Sequence, residues 1–204
     1  MASFFSGGRL AEFLLTIPAI LWAITFHEFC HGYVAFLLGD KTAEAEGRLS
    51  LNPFAHFDLV GALCLLFFHV GWAKPVPIVV AHFKKPRRDF TLVALAGPLG
   101  NILTAFVIIH LEKFFPWLFA SYGAVGFLRA MILTNVGLAA FNLIPIPPLD
   151  GSRVLYLFLP PRLLYYWYRL EQYGLFIVLL LVLTNTLSVI LNPIYSLLFR
   201  LVII

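Results

Sequence analysis

The chain has 204 residues, 61% of them hydrophobic and 12% charged, against roughly 45–50% apolar and ~25% charged residues in soluble globular domains. Fourteen Lys and Arg with ten Asp and Glu cannot clothe a water-facing surface of this size. A soluble globule is therefore excluded, and a multi-pass membrane protein of one domain, 1–204, is expected. The net charge of +4 does not indicate nucleic acid, because the basic residues sit in short segments between apolar runs, where positive-inside topology explains them.

The apolar runs, in chain order, are 10–38, 57–73, 91–110, 127–146 and 173–191, followed by an apolar tail, 193–204, that carries only Arg200. All but 57–73 are long enough to cross a ~30 Å hydrocarbon layer, which takes about 20 helical residues. The first run contains Glu12 and has no small-residue cleavage site, so a cleavable signal peptide is not expected. Before the short run, Arg48-Leu49-Ser50-Leu51-Asn52-Pro53 alternates like a strand and closes on a turn signal. The expected fold is an all-α polytopic membrane protein of about five to six membrane segments with a small membrane-associated β element. Its core is 10–155, with one or more C-terminal spans over 173–204.

Loop charge sets the orientation. Segment 74–90 carries Lys74, Lys84, Lys85, Arg87 and Arg88 against Asp89 alone, so it belongs in the cytoplasm, and 147–171, with Arg153, Arg162 and Arg169, joins it. Run 91–110 then crosses outward and 127–146 inward, leaving 111–126 outside. If 39–56 is also cytoplasmic, 57–73 must be re-entrant or a hairpin, which is tolerated only where protein or a wet cavity covers the backbone. No internal repeat supports an inverted-repeat transporter. The two cysteines, Cys30 and Cys64, lie in apolar stretches and imply no disulfide framework.

Inside the first run stands His27-Glu28-Phe29-Cys30-His31. On a helix, His27 and His31 lie about 40° apart and one turn along the axis, so two imidazoles can grip one metal ion from a single face. The intervening glutamate is then placed to act on a metal-bound water. The competing interpretation, in which His27 and Glu28 make helix–helix hydrogen bonds and His31 is interfacial, is disfavoured because a carboxylate well inside a span costs several kcal/mol unless it is partnered or functional. A catalytic zinc typically has three protein ligands and an open position. Asp150 is the candidate third ligand, in Phe141-Asn142-Leu143-Ile144-Pro145-Ile146-Pro147-Pro148-Leu149-Asp150-Gly151, whose prolines stop the preceding helix. Pro-Leu-Asp-Gly by itself is an ordinary turn; the metal pair in the same membrane favours the ligand role.

These motifs, with Ala96-Gly97-Pro98 and Asn101 in a middle span, resemble the site-2 protease family of intramembrane zinc metalloproteases in its short bacterial or archaeal form. The resemblance covers about residues 10–155 and extends to Gly47 through Pro53 and to Gly71-Trp72-Ala73-Lys74-Pro75-Val76-Pro77. It implies that His27, His31 and Asp150 bind one zinc ion and that Glu28 is the general base. It also implies a multi-pass protein of the cell membrane, its site near the cytoplasmic side, acting on transmembrane proteins or peptides in the lipid bilayer. Asn142, eight residues before Asp150, matches the family position for substrate or oxyanion contact. Larger relatives carry a PDZ or nucleotide-sensing domain, for which this chain has no room.

The remaining polar residues receive plainer expectations. Asn101 and Asn135 are expected to form interhelical hydrogen bonds, and Gly97-Pro98-Leu99-Gly100 to kink a helix or permit close packing. Cys30, about 60° from His27 and 100° from His31 on the helical wheel, is expected to pack rather than ligate. His56, His69, His82 and His110 are expected at the interface, and Tyr165-Tyr166-Trp167-Tyr168 in an aromatic belt. An edge strand over 47–51 or 75–80 is a candidate for receiving an extended substrate segment. Two other classes compete: a non-proteolytic membrane metal-binding or transport protein, which needs further acidic or histidine residues in other spans, and a catalytically silent scaffold, which has no use for Glu28.

Overall fold

The computed structural model describes residues 7–59, 61 and 73–204. Most of the 57–73 run, with Cys64 and His69, lies outside the described residues, and so does the expectation of a re-entrant element there. The helices are α1 (Gly7–Leu37), α2 (Thr42–Ala45), α3 (Pro86–Phe114), α4 (Tyr122–Asn142), α5 (Gly151–Val154), α6 (Pro161–Glu171), α7 (Gly174–Leu183) and α8 (Thr186–Ile203). Local chemistry sets their ends. Pro86 opens α3, where a missing N–H costs nothing, and the Asp89 carboxylate in its first turn accepts the Lys85 N–H at 2.9 Å. Ser121 caps α4 by accepting the Ala124 N–H at 3.2 Å, and the prolines beyond Asn142 prevent its continuation.

Among the described residues, four helices are long and apolar enough to cross a membrane: Leu14–Leu37, Pro86–Phe114, Gly123–Asn142 and Thr186–Ile203. A fifth crossing would be the pair Arg162–Glu171 and Gly174–Leu183, bent by 65°. The protein is thus an all-α, multi-pass membrane protein. The apolar run 173–191 is not one continuous helix. The chain breaks after Leu183, where Asn185 adopts a left-handed conformation (φ 56°) that Asn tolerates better than most residues, and a new helix runs from Thr186 through the apolar tail.

Helices α1, α3 and α4 pack on one another, and α8 leans on α3 and α4. The joint between α3, α4 and α8 is built from small and branched residues, Ala105, Val136, Ala139, Ala140, Leu198 and Val202, which let helices approach closely where lipid offers no hydrophobic drive. A second cluster, Ile144, Leu149 and Val178, anchors the turn after α4 against α7. Large apolar side chains such as Leu14, Leu103, Phe106 and Val189 stay exposed, as a lipid-facing surface requires.

No strand forms among the described residues, so the expected β element is not found in either segment proposed for it. In 47–51 the N–H groups of Arg48 and Leu49 both donate to the Ala43 carbonyl. Residues 73–79 run as irregular chain without a ladder partner. Two of their donors are removed by Pro75 and Pro77, and side chains take several of the other backbone groups: Arg48 donates to the carbonyls of Lys74 (2.7 Å) and Pro75 (3.1 Å), Glu28 accepts the Val76 N–H (3.0 Å), and Asp40 accepts the Val79 N–H (2.7 Å).

Candidate metal centre

The structure brings His27, His31 and Asp150 together. Both histidines project from α1 and are buried; Asp150 arrives from the turn that follows α4, 119 residues further along the chain than His31. That turn folds tightly: the Ile146 N–H donates to the Ile144 carbonyl at 2.8 Å and the Leu149 N–H to the Ile146 carbonyl at 2.9 Å. Gly151 closes it against the end of α4, where a Cβ would lie 2.5 Å from the Leu143 carbonyl carbon and 2.8 Å from the Ile144 oxygen. The result is a compact triangle. His27 Nε2 and His31 Nε2 are 3.0 Å apart, and Asp150 Oδ2 is 3.1 Å from the first and 3.3 Å from the second.

The partners on the far side of each ring decide where its proton sits. Asn101, fully buried on α3, donates its amide N–H groups to the Ala23 carbonyl (2.9 Å) and Asn135 Oδ1 (2.8 Å), so its own Oδ1 is left as an acceptor for His27 Nδ1 at 2.6 Å. His31 Nδ1 faces the Val93 carbonyl at 2.7 Å, which only accepts. Both Nδ1 atoms therefore carry a hydrogen, and in the neutral rings, the form that binds metal, both Nε2 atoms present lone pairs. With the rings neutral, two imidazole lone pairs and a carboxylate oxygen converge on one point, and Asp150 Oδ2 is buried without an assigned hydrogen-bond partner. Such a triangle of acceptors is repulsive unless a cation sits in it. The N,N,O donor set, with each imidazole oriented from behind, fits zinc.

Helix α3 supports this arrangement closely. A Cβ on Gly97 would lie 2.6 Å from His31 Cε1 and 2.7 Å from His27 Cε1, with His31 Nε2 nearer still, so only glycine lets α3 cover the two rings. Of the two expectations for Gly97-Pro98-Leu99-Gly100, a kink or close packing, the close approach at Gly97 is the packing one. Asn101 lies one turn beyond Gly97 on the same face. Sequence reasoning gave Asn101 and Asn135 interhelical hydrogen bonds, which they form, but missed that Asn101 orients His27; its spacing from Gly97 was the available signal.

Glu28 Oε2 accepts the Val76 N–H, leaving Oε1 without an assigned donor. A cleft of about 180 Å³ is lined by Glu28, His31, Pro75, Val76, Asp150 and Arg153, among others. Arg153 was read from the sequence only as loop charge. Its guanidinium lies over the rings of Phe90 (5.2 Å) and Tyr156 (5.3 Å) and is paired with Glu171 of α6, with one N–H to carboxylate distance of 2.8 Å. Burial pushes the nearby Tyr156 phenol up to about 12, so it stays protonated. A larger apolar cavity of about 370 Å³ lies between α1 and α4 and contains none of the three clustered residues.

Asn142 is not brought to the triangle: its amide donates to the Leu138 carbonyl of its own helix at 3.1 Å. Cys30 packs against α3 at Gly100, as expected of a packing residue. His56 is buried within the protein, 1% exposed, and the Ser50 carbonyl meets its Nε2 at 2.8 Å.

The profile of Peptidase family M50 matches residues 117–184, a stretch that includes Asn142, Asp150 and Arg153. Over 183 residues the chain is 36% identical to YwhC of Bacillus subtilis (strain 168), covering 87% of this chain and 84% of that protein. It is 33% identical over 183 residues to Rip2 of Mycobacterium tuberculosis (strain H37Rv), covering 86% and 69%. To MJ0611 of Methanocaldococcus jannaschii it is 31% identical over 149 residues, covering 70% of each. All three bear provisional zinc-metalloprotease names. No solved structure matches the chain. The chain belongs to peptidase family M50, the site-2 proteases, and is a zinc metalloprotease.

Proposed function

We propose that this protease hydrolyses peptide bonds in or near transmembrane segments of other membrane proteins, with His27, His31 and Asp150 holding one zinc ion and Glu28 serving as general base. The observation that carries this reading is the meeting of His27 Nε2, His31 Nε2 and Asp150 Oδ2 within hydrogen-bonding distance of one another, in a cleft that Glu28 also lines. Zinc there supplies Lewis acidity, polarising a carbonyl and bringing the pKa of water towards about 7. Glu28 accepts the proton of the attacking water on Oε1 while the Val76 N–H holds Oε2, and then delivers that proton to the leaving amide nitrogen. Asn101 and the Val93 carbonyl keep both imidazoles in one tautomer throughout. Asn142 stabilises the oxyanion after its amide turns away from Leu138.

The basic residues of 74–90 and 147–171, which flank the cleft, favour a site near the cytoplasmic side, where water is within reach. A helical substrate must be unwound before its bond is accessible. Ile78, whose N–H has no assigned acceptor in the irregular 73–79 chain, is a candidate backbone contact for that docking. The metal-transport alternative needs further ligand clusters, and the described residues hold no second group of three.

The test is Glu28→Gln in the full chain with a single-span helical reporter. Cleavage falls by on the order of 10²-fold or more, and zinc content stays at the wild-type level. Wild-type cleavage by the variant overturns the assignment.

A further inference from the structure

Asp40 is the most thoroughly engaged carboxylate outside the metal triangle. It is fully buried just beyond the end of α1, thirteen residues after His27. Oδ1 accepts the Thr42 N–H (3.1 Å) and hydroxyl (2.5 Å) and faces His82 Nδ1 (2.8 Å), and Oδ2 accepts the Val79 N–H (2.7 Å). Burial alone raises its pKa, but these hydrogen bonds outweigh that and hold the carboxyl below its ordinary range, so it is ionised at neutral pH. An ionised carboxylate this well enclosed is a stiff anchor.

What it anchors leads to the catalytic centre. Val79 is three residues from Val76, whose N–H is the one group seen to hold Glu28. The chain between them contains Pro77, and Pro75 precedes Val76, so neither neighbour of Val76 offers a substitute N–H and φ is fixed at both positions. At the other end, Arg48, 9% exposed, clasps the carbonyls of Lys74 and Pro75. A short proline-stiffened strap is thus pinned at both ends, and its central N–H points at the general base.

We infer that Asp40 is a positioning residue for Glu28: by fixing Val79 it sets the strap so that the Val76 N–H restrains one carboxylate oxygen and leaves the other facing the cleft. This rests on Glu28 being the general base. The claim separates from simple stabilisation because it acts on the chemical step through one backbone N–H. Val76→Pro deletes that N–H within a segment already extended and proline-rich, and Asp40→Asn loosens the anchor. His82→Ala removes one donor to Asp40 from an exposed side chain and serves if Asp40→Asn does not insert.

The experiment measures kcat and KM per zinc-loaded full chain for wild type, Asp40→Asn, His82→Ala, Val76→Pro and each double variant with Val76→Pro, using a single-span helical reporter, with Glu28→Gln alongside. A small displacement of a reacting group costs on the order of tenfold to a hundredfold. Asp40→Asn and Val76→Pro should each lower kcat by about tenfold or more with KM and zinc content unchanged, His82→Ala a few-fold, and the double variants no further than Val76→Pro alone. Wild-type kcat in Val76→Pro, or in Asp40→Asn (His82→Ala if the former does not insert), overturns the inference, as do effects that multiply in the double variants. If Glu28→Gln itself cleaves normally, the assignment of the base has failed instead.

Discussion

Replacing Gly97 by alanine adds one methyl group where α3 lies against the two histidines. By helix propensity alone the change favours α3 by about 1 kcal/mol. The site reverses the sign. The new Cβ would stand 2.6 Å from His31 Cε1 and 2.7 Å from His27 Cε1, whereas comfortable carbon–carbon contact begins near ~3.5 Å, so rings or helix must give way by about 1 Å. Neither imidazole can yield cheaply, because each is hydrogen-bonded behind, to Asn101 and to the Val93 carbonyl. Zinc–nitrogen bonds tolerate only about ±0.2 Å, and a 1 Å misplacement of catalytic groups costs on the order of 10²-fold. Gly97→Ala should therefore insert and fold, yet lose zinc affinity and cleave a helical reporter about a hundredfold more slowly. Metal analysis of purified protein and initial rates with the reporter read both quantities. Wild-type zinc content and turnover would refute the role given to the close apposition of α3 to the two histidines.

Asn101→Ala should weaken zinc binding by roughly 10–100-fold, the usual loss when the partner behind a metal-binding histidine is removed, as a competing chelator titration would show. Asn142→Ala should lower turnover while zinc stays bound; unchanged turnover would remove Asn142 from the mechanism. Arg153→Gln, which abandons the half-buried Glu171 carboxylate and the Phe90 and Tyr156 rings, should destabilise the fold by about 1–3 kcal/mol and loosen α6, visible as faster proteolysis near Pro161–Glu171.

The long spans were legible because composition and run length decide them, and the two histidines because helical spacing puts them on one face. Asp150 was legible as chemistry, since a carboxylate after a proline-rich helix end is an obvious partner for a metal pair; that the turn delivers it to within 3.1 Å of His27 depends on Gly151 and on contacts to α7 that no local pattern reveals. The break at Asn185 was missed because three polar residues, Thr184-Asn185-Thr186, are too short an interruption to divide a long apolar run by composition alone. The strand expectation failed for a related reason: alternation in 48–53 and extension in 73–79 describe the backbone, but the groups that satisfy it are Arg48, Glu28 and Asp40, far away in sequence. Asn101 was legible as an interhelical hydrogen-bonding residue, but not as the partner of His27, because that bond spans 74 positions.

The most direct test is X-ray absorption at the zinc edge on the purified full chain. One zinc ion with two imidazole nitrogens at about 2.0–2.1 Å and a carboxylate oxygen at about 2.0–2.2 Å is predicted, the oxygen contribution changing in Asp150→Asn. A sulfur ligand near ~2.3 Å, which Cys30 would supply, or a spectrum indifferent to Asp150, would contradict the assignment.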